Sequence, residues 1–228
     1  MTARFSIALL ITTTLGACTQ LPPERQLVED AAKALGGTDR LRAVRTLVIE
    51  GEAVAPNTGQ NRMPDDELPV WRATVYKRSL DLEHGRTRVQ QTRVAQFLFA
   101  GATTQRLDQS VDGAVAFGTA PDGSATRAPD AAARERRIEM LHHPIVLVRV
   151  ALDPSATLGH VRQLGQDQAV DVTTATGETL TLAIDGSTKL PSRISSMALG
   201  ISSCEVALTL IQYCFSSGCN LRNVASGK

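Results

Sequence analysis

The sequence predicts an α+β fold in which a curved antiparallel β-sheet carries helices packed on its concave face. Two hairpins follow one another directly between Val170 and Ile194, and glycine marks each turn. Such a meander favours an antiparallel sheet over βαβ units. Helical patterns occupy two separate stretches, one before the first strand and one in the middle of the chain. Helices and strands that are grouped in this way are typical of the α+β class.

The first helix is predicted after Pro22-Pro23, which suit a first helical turn. Its apolar side chains recur at helical spacing and form one stripe: Leu27, Val28, Ala31, Ala32 and Leu35. Gly36-Gly37 ends this helix. Thr38 is expected to cap a brief turn after it, and Val44 to Val54 is predicted to form the first strand.

Two further strands are predicted from Val70 to Gln91, joined near His84-Gly85. Their apolar side chains occupy odd positions first and even positions later: Trp71, Ala73 and Val75, then Tyr76, Leu80 and Leu82. Because a one-residue slip moves each following side chain to the other face, a β-bulge or strong bend between Lys77 and Ser79 would return them to one core. A sheet covered on both faces is the alternative.

Turn signals divide the rest of the chain. Hairpins are predicted at Asp112-Gly113 and at residues 121–124. Proline restricts the backbone φ angle and glycine permits positive values of it, and both favour turns. Pro129 and Asp130 open a helix that runs to about His142. Residues 145–152 are predicted to form a second, buried helix before the meander begins.

The N-terminal segment is predicted to be a targeting signal. Arg4 precedes an apolar run from Phe5 to Leu15, which is well short of the roughly 20 residues of a membrane-spanning helix. Leu15-Gly16-Ala17-Cys18 follows and resembles the lipobox of bacterial lipoproteins. The resemblance implies that residues 1–17 are removed and that Cys18 carries the acyl chains that hold the protein to a membrane. An ordinary cleaved signal that happens to contain a cysteine is the alternative.

The same resemblance implies a location. Thr19 follows the lipidated residue, and the absence of an acidic side chain there implies sorting to the outer membrane. We therefore expect a periplasmic, lipid-anchored protein with a lipidated N-terminus and tether over residues 18–26. Residues 27–198 are expected to form a single domain, because that length suits one hydrophobic core.

Composition excludes some classes of partner. The 228 residues include 24 lysines and arginines against 23 aspartates and glutamates, so the chain lacks the basic excess that nucleic-acid binding requires. Aromatic residues make up 4% of the chain, with Trp71 as the one tryptophan, which disfavours a base-stacking surface. No nucleic acid is expected as a partner.

Residues 199–228 differ in composition from the rest. They hold three of the four cysteines, Cys204, Cys214 and Cys219. Spacing does not decide which of these pair, and a zinc site needs a fourth ligand and a closer pattern such as C-x-x-C. One hypothesis is that a frameshift near residues 197–199 replaced the native continuation. A genuine apolar strand or helix from Val206 to Phe215 is the alternative.

Two family resemblances cover the middle of the chain. The segment LTLAIDGSTKLPSR, from Leu180 to Arg193, resembles a strand-turn-strand of half-barrel lipoprotein carriers of the LolA-like superfamily. The stretch AAKALGGTDRLRAVRTLVIEGEA, with RRIEMLHHPIVLVRVALDP further on, resembles the N-terminal region of secreted metallo-β-lactamase-fold hydrolases. That family's catalytic domain holds zinc through H-x-H-x-D-H, which this chain lacks. The resemblance therefore implies no catalytic residue, no metal and no cofactor here, and we expect a protein that is not an enzyme.

Two functions follow from these resemblances. The first is a non-catalytic accessory domain of a truncated hydrolase, which serves as a scaffold for a partner domain. The alternative is a periplasmic carrier that binds a lipid or another apolar ligand in the half-barrel. A carrier needs a continuous apolar cavity, for which the sequence nominates Trp71, Val75, Leu180 and Leu182. If Leu27, Val28 and Leu35 of the first helix pack tightly on these side chains, the carrier hypothesis fails and the scaffold hypothesis survives.

Other polar clusters have structural interpretations. His142-His143 lies at a helix end, where imidazoles are favoured by the helix dipole and by capping, so a structural role is expected. Arg134 to Arg137 is predicted to form a solvated helix face. Neither Ser-His-Asp chemistry nor a G-x-S-x-G elbow is indicated.

Overall fold

The computed structural model describes residues 20–56, 63, 66, 69–96, 103–196, 204–207 and 221–222. It contains four helices in these residues: α1 (Pro23–Ala34), α2 (Thr38–Ala43), α3 (Asp130–Leu141) and α4 (Pro144–Ala151). Six strands precede α3: β1 (Thr46–Pro56), β2 (Val70–Asp81), β3 (Arg86–Gln96), β4 (Thr104–Asp112), β5 (Val115–Thr119) and β6 (Ala125–Arg127). Seven follow α4: β7 (Thr157–Leu158), β8 (Arg162–Leu164), β9 (Asp167–Thr173), β10 (Thr179–Asp185), β11 (Pro191–Ser196), β12 (Cys204–Ala207) and β13 (Leu221–Arg222). The predicted α+β class is confirmed.

The strands are divided between two hydrogen-bonded sheets. The first sheet has the order β13-β1-β2-β3-β4-β5-β6. The second has the order β12-β11-β10-β9-β7, and β8 also pairs with β9. Every described pairing is antiparallel except that of β13 with β1. The predicted meander is the β9-β10-β11 part of the second sheet, and α3 and α4 separate it along the chain from the first sheet.

The bulge in β2 lies earlier than predicted. The pairing of β2 with β3 shifts register between Ala73 and Val75, not between Lys77 and Ser79. The pairing of β1 with β2 shifts at the same level, between Gly51 and Ala53. Odd positions of β2 face inward before this point and even positions face inward after it, so Ala73 and Leu80 are both buried. Val75 follows the bulge directly and is turned outward, with 59% of its surface exposed.

The main hydrophobic core lies between the helices and the second sheet. The apolar stripe of α1 and the almost wholly buried α4 pack on inward side chains of β9, β10 and β11. The members with the largest fully buried side chains are Val28, Leu41, Leu147, Val148, Val170, Val172, Leu180, Leu182, Ile184 and Ile194. Thr38 does not cap α2 as predicted, because its hydroxyl donates to Glu29 at 2.8 Å instead.

Helix α3 covers the first sheet through arginines that were expected to face solvent. Arg136 Nη1 donates to the carbonyl oxygens of Ser110 and Phe117, at 2.7 and 2.8 Å. Ala133 packs beside it on Val111 and Ala116. The prediction of a solvated Arg134–Arg137 face is therefore wrong for its second half, because sheet carbonyls at the β4-β5 hairpin provide acceptors within reach of the helix.

Candidate functional site: an apolar cleft

An open cleft of about 840 Å³ lies where turns of both sheets meet the helices. The first sheet contributes the β2-β3 turn around Leu82, and Gly113 of the β4-β5 turn. The second contributes the β9-β10 turn over residues 174–178. Helices α3 and α4 form the floor. The volume lies within the roughly 300–1,000 Å³ of small-molecule sites, so the cleft is large enough for a ligand.

The floor of the cleft is apolar. Leu141, Val146 and Leu152 are buried members of the main core whose surfaces reach the cleft. Met140 and Val150 are half-buried and complete the floor. These apolar side chains remain partly exposed above a packed core. The free energy of the system falls when a ligand removes their surface from water. The floor is therefore suited to an apolar group.

One wall of the cleft is a buried ion pair between α3 and the β9-β10 turn. Arg137 Nε and Nη2 lie 2.9 Å from Glu178 Oε1, and Arg137 Nη1 donates to Gly113 O at 3.0 Å. The Glu178 side chain is only 2% exposed. Burial alone raises the pKa of a carboxyl group, but hydrogen bonds from Thr174 and Thr176 and the Arg137 guanidinium lower the pKa of Glu178 to about 2. Arg137 thus joins the first sheet to the second at the cleft.

Other arginines fix the segments around the cleft to each other. Arg25 of α1 donates to the carbonyl oxygens of Ala151 and Ala156, at 2.8 and 3.0 Å. Arg149 of α4 donates to Val44 O. Arg42 of α2 approaches Leu152 O at 3.4 Å. These contacts join α1, α2 and α4 to the loops beside the cleft.

The positive and negative charges of the side chains that line the cleft are equal in number. Three arginines line it, Arg42, Arg137 and Arg149, against three carboxylates, Glu83, Asp153 and Glu178. The one histidine in the lining, His84, lies 2.8 Å from Asp81 in the β2-β3 turn. The cleft thus offers an apolar surface without net charge, which suits a neutral or zwitterionic ligand better than an anion.

The four side chains nominated from sequence for an apolar ligand are not brought together, and none of them lines this cleft. Leu180 and Leu182 are buried in the core beneath α1, in one cluster with Leu27, Val28 and Leu35. Val75 is turned outward by the bulge. Trp71 is half-buried near the far end of β2, where the Arg93 guanidinium lies 4.3 Å from its ring centroid. The sequence identified core and surface positions but not the site.

The sequence carried little sign of the cleft residues. Leu82 follows the same apolar parity as Tyr76 and Leu80 of the predicted strands, which indicates a core position and not a ligand site. Met140 belongs to α3, whose sequence is dominated by charged residues, so its pattern predicts a solvated helix face and not a ligand site. Val150 was included in the predicted buried helix. Their meeting depends on contacts between distant segments, which no local pattern records.

The two adjacent histidines have structural contacts, as expected. His142 lies at the end of α3, with Nδ1 2.8 Å from Ile138 O and Nε2 3.2 Å from Ser196 Oγ. His143 precedes α4 as its N-cap residue. Burial, with the nearby Arg78 charge, lowers the pKa of His143 to about 4. Neither histidine lines the cleft.

Several predicted features lie outside the described residues. Cys18 and the signal are among them, as are Cys214, Cys219 and the side chain of Cys204. Across the part of the chain that the structure describes, no three His, Cys, Asp or Glu side chains group as metal ligands. Over the same residues, no helix has both the length and the apolar character needed to cross a bilayer.

Comparison with known proteins shows no family for this chain. No protein-family model and no curated protein matches the sequence, so the resemblance to metallo-β-lactamase-fold hydrolases gains no support. Among solved structures, the crystal structure of LprF from Mycobacterium bovis is similar at 10% identity, with 82% of this chain and 91% of that chain covered and a TM-score of 0.28. The fold given above stands on its own pairings and contacts.

Proposed function

We propose that this protein is a lipid-anchored binding protein that holds a neutral or zwitterionic, largely apolar ligand such as an acyl chain in the cleft. The observation that carries the proposal is the cleft's apolar floor, made by Met140, Val146 and Val150, under walls whose charges cancel. The proposed anchor is the lipid on Cys18, and the membrane is the proposed source or destination of the ligand.

Binding is tested by reducing the volume of the cleft. Val150→Trp adds a large apolar side chain to the floor without changing charge. Val75→Trp makes the same exchange on an outward-facing strand position that is 59% exposed. We expect the full chain to bind the neutral fluorescent probe N-phenyl-1-naphthylamine, and Val150→Trp to weaken that binding about tenfold while Val75→Trp leaves it unchanged. Equal affinities of both variants and the parent would contradict the proposal.

The scaffold function is favoured by a separate observation. Leu180 and Leu182 are buried in one cluster with Leu27 and Val28 of α1, so no ligand space is left between these side chains, as the scaffold hypothesis expects. A scaffold without a ligand site predicts no saturable binding of the probe. The same titration therefore separates the two functions.

We also propose that the chain is not an enzyme. Among the polar side chains of the cleft, Ser155 donates to Asp153 at 2.6 Å and His84 lies 2.8 Å from Asp81, so each is held within its own turn. Glu178 is held by Arg137. Incubation with zinc and either an ester or a β-lactam is expected to give no turnover above buffer. Turnover that a chelator abolishes would overturn this part of the proposal.

A further inference from the structure

A second, polar cavity of about 300 Å³ lies between α3 and the inner face of the first sheet. Its sheet side is formed by alternate residues of β2, β3 and β4, since side chains on one face of a strand recur every second residue. Register places Arg78 opposite Val89 and Leu80 opposite Thr87, so these side chains share the inner face. Arg136, Glu139 and Met140 of α3 form its other side.

This cavity has an excess of positive charge. Arg78, Arg93 and Arg136 line it against one carboxylate, Glu139, which pairs with Arg78. Three positive charges and one negative charge leave a formal charge of +2. The Arg78 side chain is only 13% exposed, and burial lowers the pKa of Arg136. Charges that are partly removed from water interact strongly with a counter-ion.

Two buried polar atoms at this cavity have no hydrogen-bond partner among the described residues. They are Arg78 Nε and Thr87 Oγ1. Thr87 is 7% exposed, so its hydroxyl is also largely shielded from solvent. Buried polar groups are almost always hydrogen-bonded, and an unmade bond costs about 1–3 kcal/mol. A donor guanidinium and a donor hydroxyl at one cavity fit an acceptor oxygen.

We propose that this cavity binds a phosphate group, with Arg78 Nε and Thr87 Oγ1 donating to its oxygens. A phosphate carries close to two negative charges at neutral pH, which matches the excess of the lining. The site is separate from the apolar cleft, although Met140 lines both. The phosphate is therefore either free in solution or the head group of an amphiphile whose chain reaches the cleft.

Isothermal titration of the full chain with inorganic phosphate, and separately with dodecyl phosphate below its micelle concentration, tests the site. Thr87→Val removes the hydroxyl with little change of shape, and Arg78→Lys keeps the charge but removes Nε. Each variant is expected to weaken binding of the phosphate group about tenfold. Arg88→Lys is the matched control, because Arg88 lies on the outer face of β3 and pairs with Asp108 at 2.7 Å.

The two probes distinguish the sources of the phosphate. Binding of inorganic phosphate that the two variants weaken supports the site and a free anion. Binding of dodecyl phosphate alone, weakened by the same variants, supports the site and a lipid head group. No binding of either probe, or equal affinities in the parent, Thr87→Val and Arg78→Lys, overturns the proposal. Thr87→Val is expected to unfold at a higher temperature than the parent without phosphate, which shows that it folds.

Failure of this site is distinguishable from failure of the apolar cleft. Val150→Trp alters the cleft floor and is expected to leave the affinity for inorganic phosphate unchanged. Thr87→Val is expected to leave the affinity for N-phenyl-1-naphthylamine unchanged.

Discussion

His143, at the meeting of α3 and α4, contributes to the way the free energy of unfolding depends on pH. His143 is the N-cap residue of α4 and is held neutral at pH 7, because burial and the charge of Arg78 lower its pKa to about 4. An unfolded histidine binds a proton near pH 6.5. Between these two values the unfolded state binds more protons than the folded state, so the free energy of unfolding falls as the pH falls.

The first prediction concerns this histidine. His143→Asn removes the titrating group while keeping a polar side chain. The contribution of His143 is fully present above pH 6.5 and is lost as the pH falls through about 4, which amounts to roughly 3 kcal/mol. Urea unfolding between pH 7 and pH 4 is expected to show a shallower loss of stability for His143→Asn. His160→Asn, at an exposed position, is the control, and an equal slope in both variants would contradict the assignment.

At the residue scale the sequence predicted roles better than contacts. A structural role for His142 and His143 was visible because both follow a helical pattern that Pro144 ends. The buried ion pair of Arg137 with Glu178 was not visible, since its partners lie 41 positions apart. Nothing in a run of charged helix residues indicates which of them meets a carboxylate on another element.

Among the elements, α3 connects the two sheets. Its Arg136 binds carbonyl oxygens of the first sheet, and its Arg137 pairs with the β9-β10 turn of the second. The same helix contributes Met140 to the floor of the cleft. The geometry of the cleft therefore depends on where this helix is held.

The second prediction tests that connection. Arg137→Met keeps an apolar stem but leaves the Glu178 carboxylate buried without its cation, which costs about 3 kcal/mol. Urea unfolding at pH 7 is expected to show this loss. Arg134→Met is the control on the exposed side of the same helix, where a surface change is worth less than about 0.5 kcal/mol. Similar losses in the two variants would show that Arg137 does not join the sheets.

Element positions were predicted well where periodicity was long. The helices α1 and α3 and the β9-β10-β11 meander follow 3.6-residue or two-residue patterns, or clear turn residues, and are confirmed. The predicted buried helix α4 is also confirmed, although its apolar run is too short for periodicity to separate a helix from a strand. The strands β7 and β8 were missed because two or three residues carry no period. The bulge was predicted too late in β2 because Thr74, at its register shift, gives no local signal. The local signal lies on the neighbouring strand instead, where Gly51 stands at the matching shift of β1.

For the whole molecule, the division into two sheets is the feature that the sequence did not provide. Which strands pair across α3 and α4 depends on long-range packing, and local patterns cannot separate one curved sheet from two. The cleft lies where the turns of both sheets approach the helices. A candidate site deduced from strand parity therefore led into the core, at Leu180 and Leu182, instead of to the cleft.

The third prediction concerns attachment to the membrane. If Cys18 carries the lipid, cells expressing the full chain are expected to incorporate radiolabelled palmitate into it, and the protein is expected to sediment with membranes. Cys18→Ser is expected to lose both properties, whereas Cys204→Ser keeps them. Labelling that survives Cys18→Ser would contradict the proposed anchor.

The central claim is that the cleft between the helices and the turns of both sheets holds an apolar ligand. The most direct measurement is photo-crosslinking of the full chain with a neutral fatty alcohol that carries a diazirine, followed by mapping of the labelled residues by mass spectrometry. Labels are expected on Leu82, Met140 and Val150 of the cleft, and unlabelled alcohol is expected to compete for them. Labels confined to outward-facing positions such as Val48, Val54 and Val75, without competition, would contradict it.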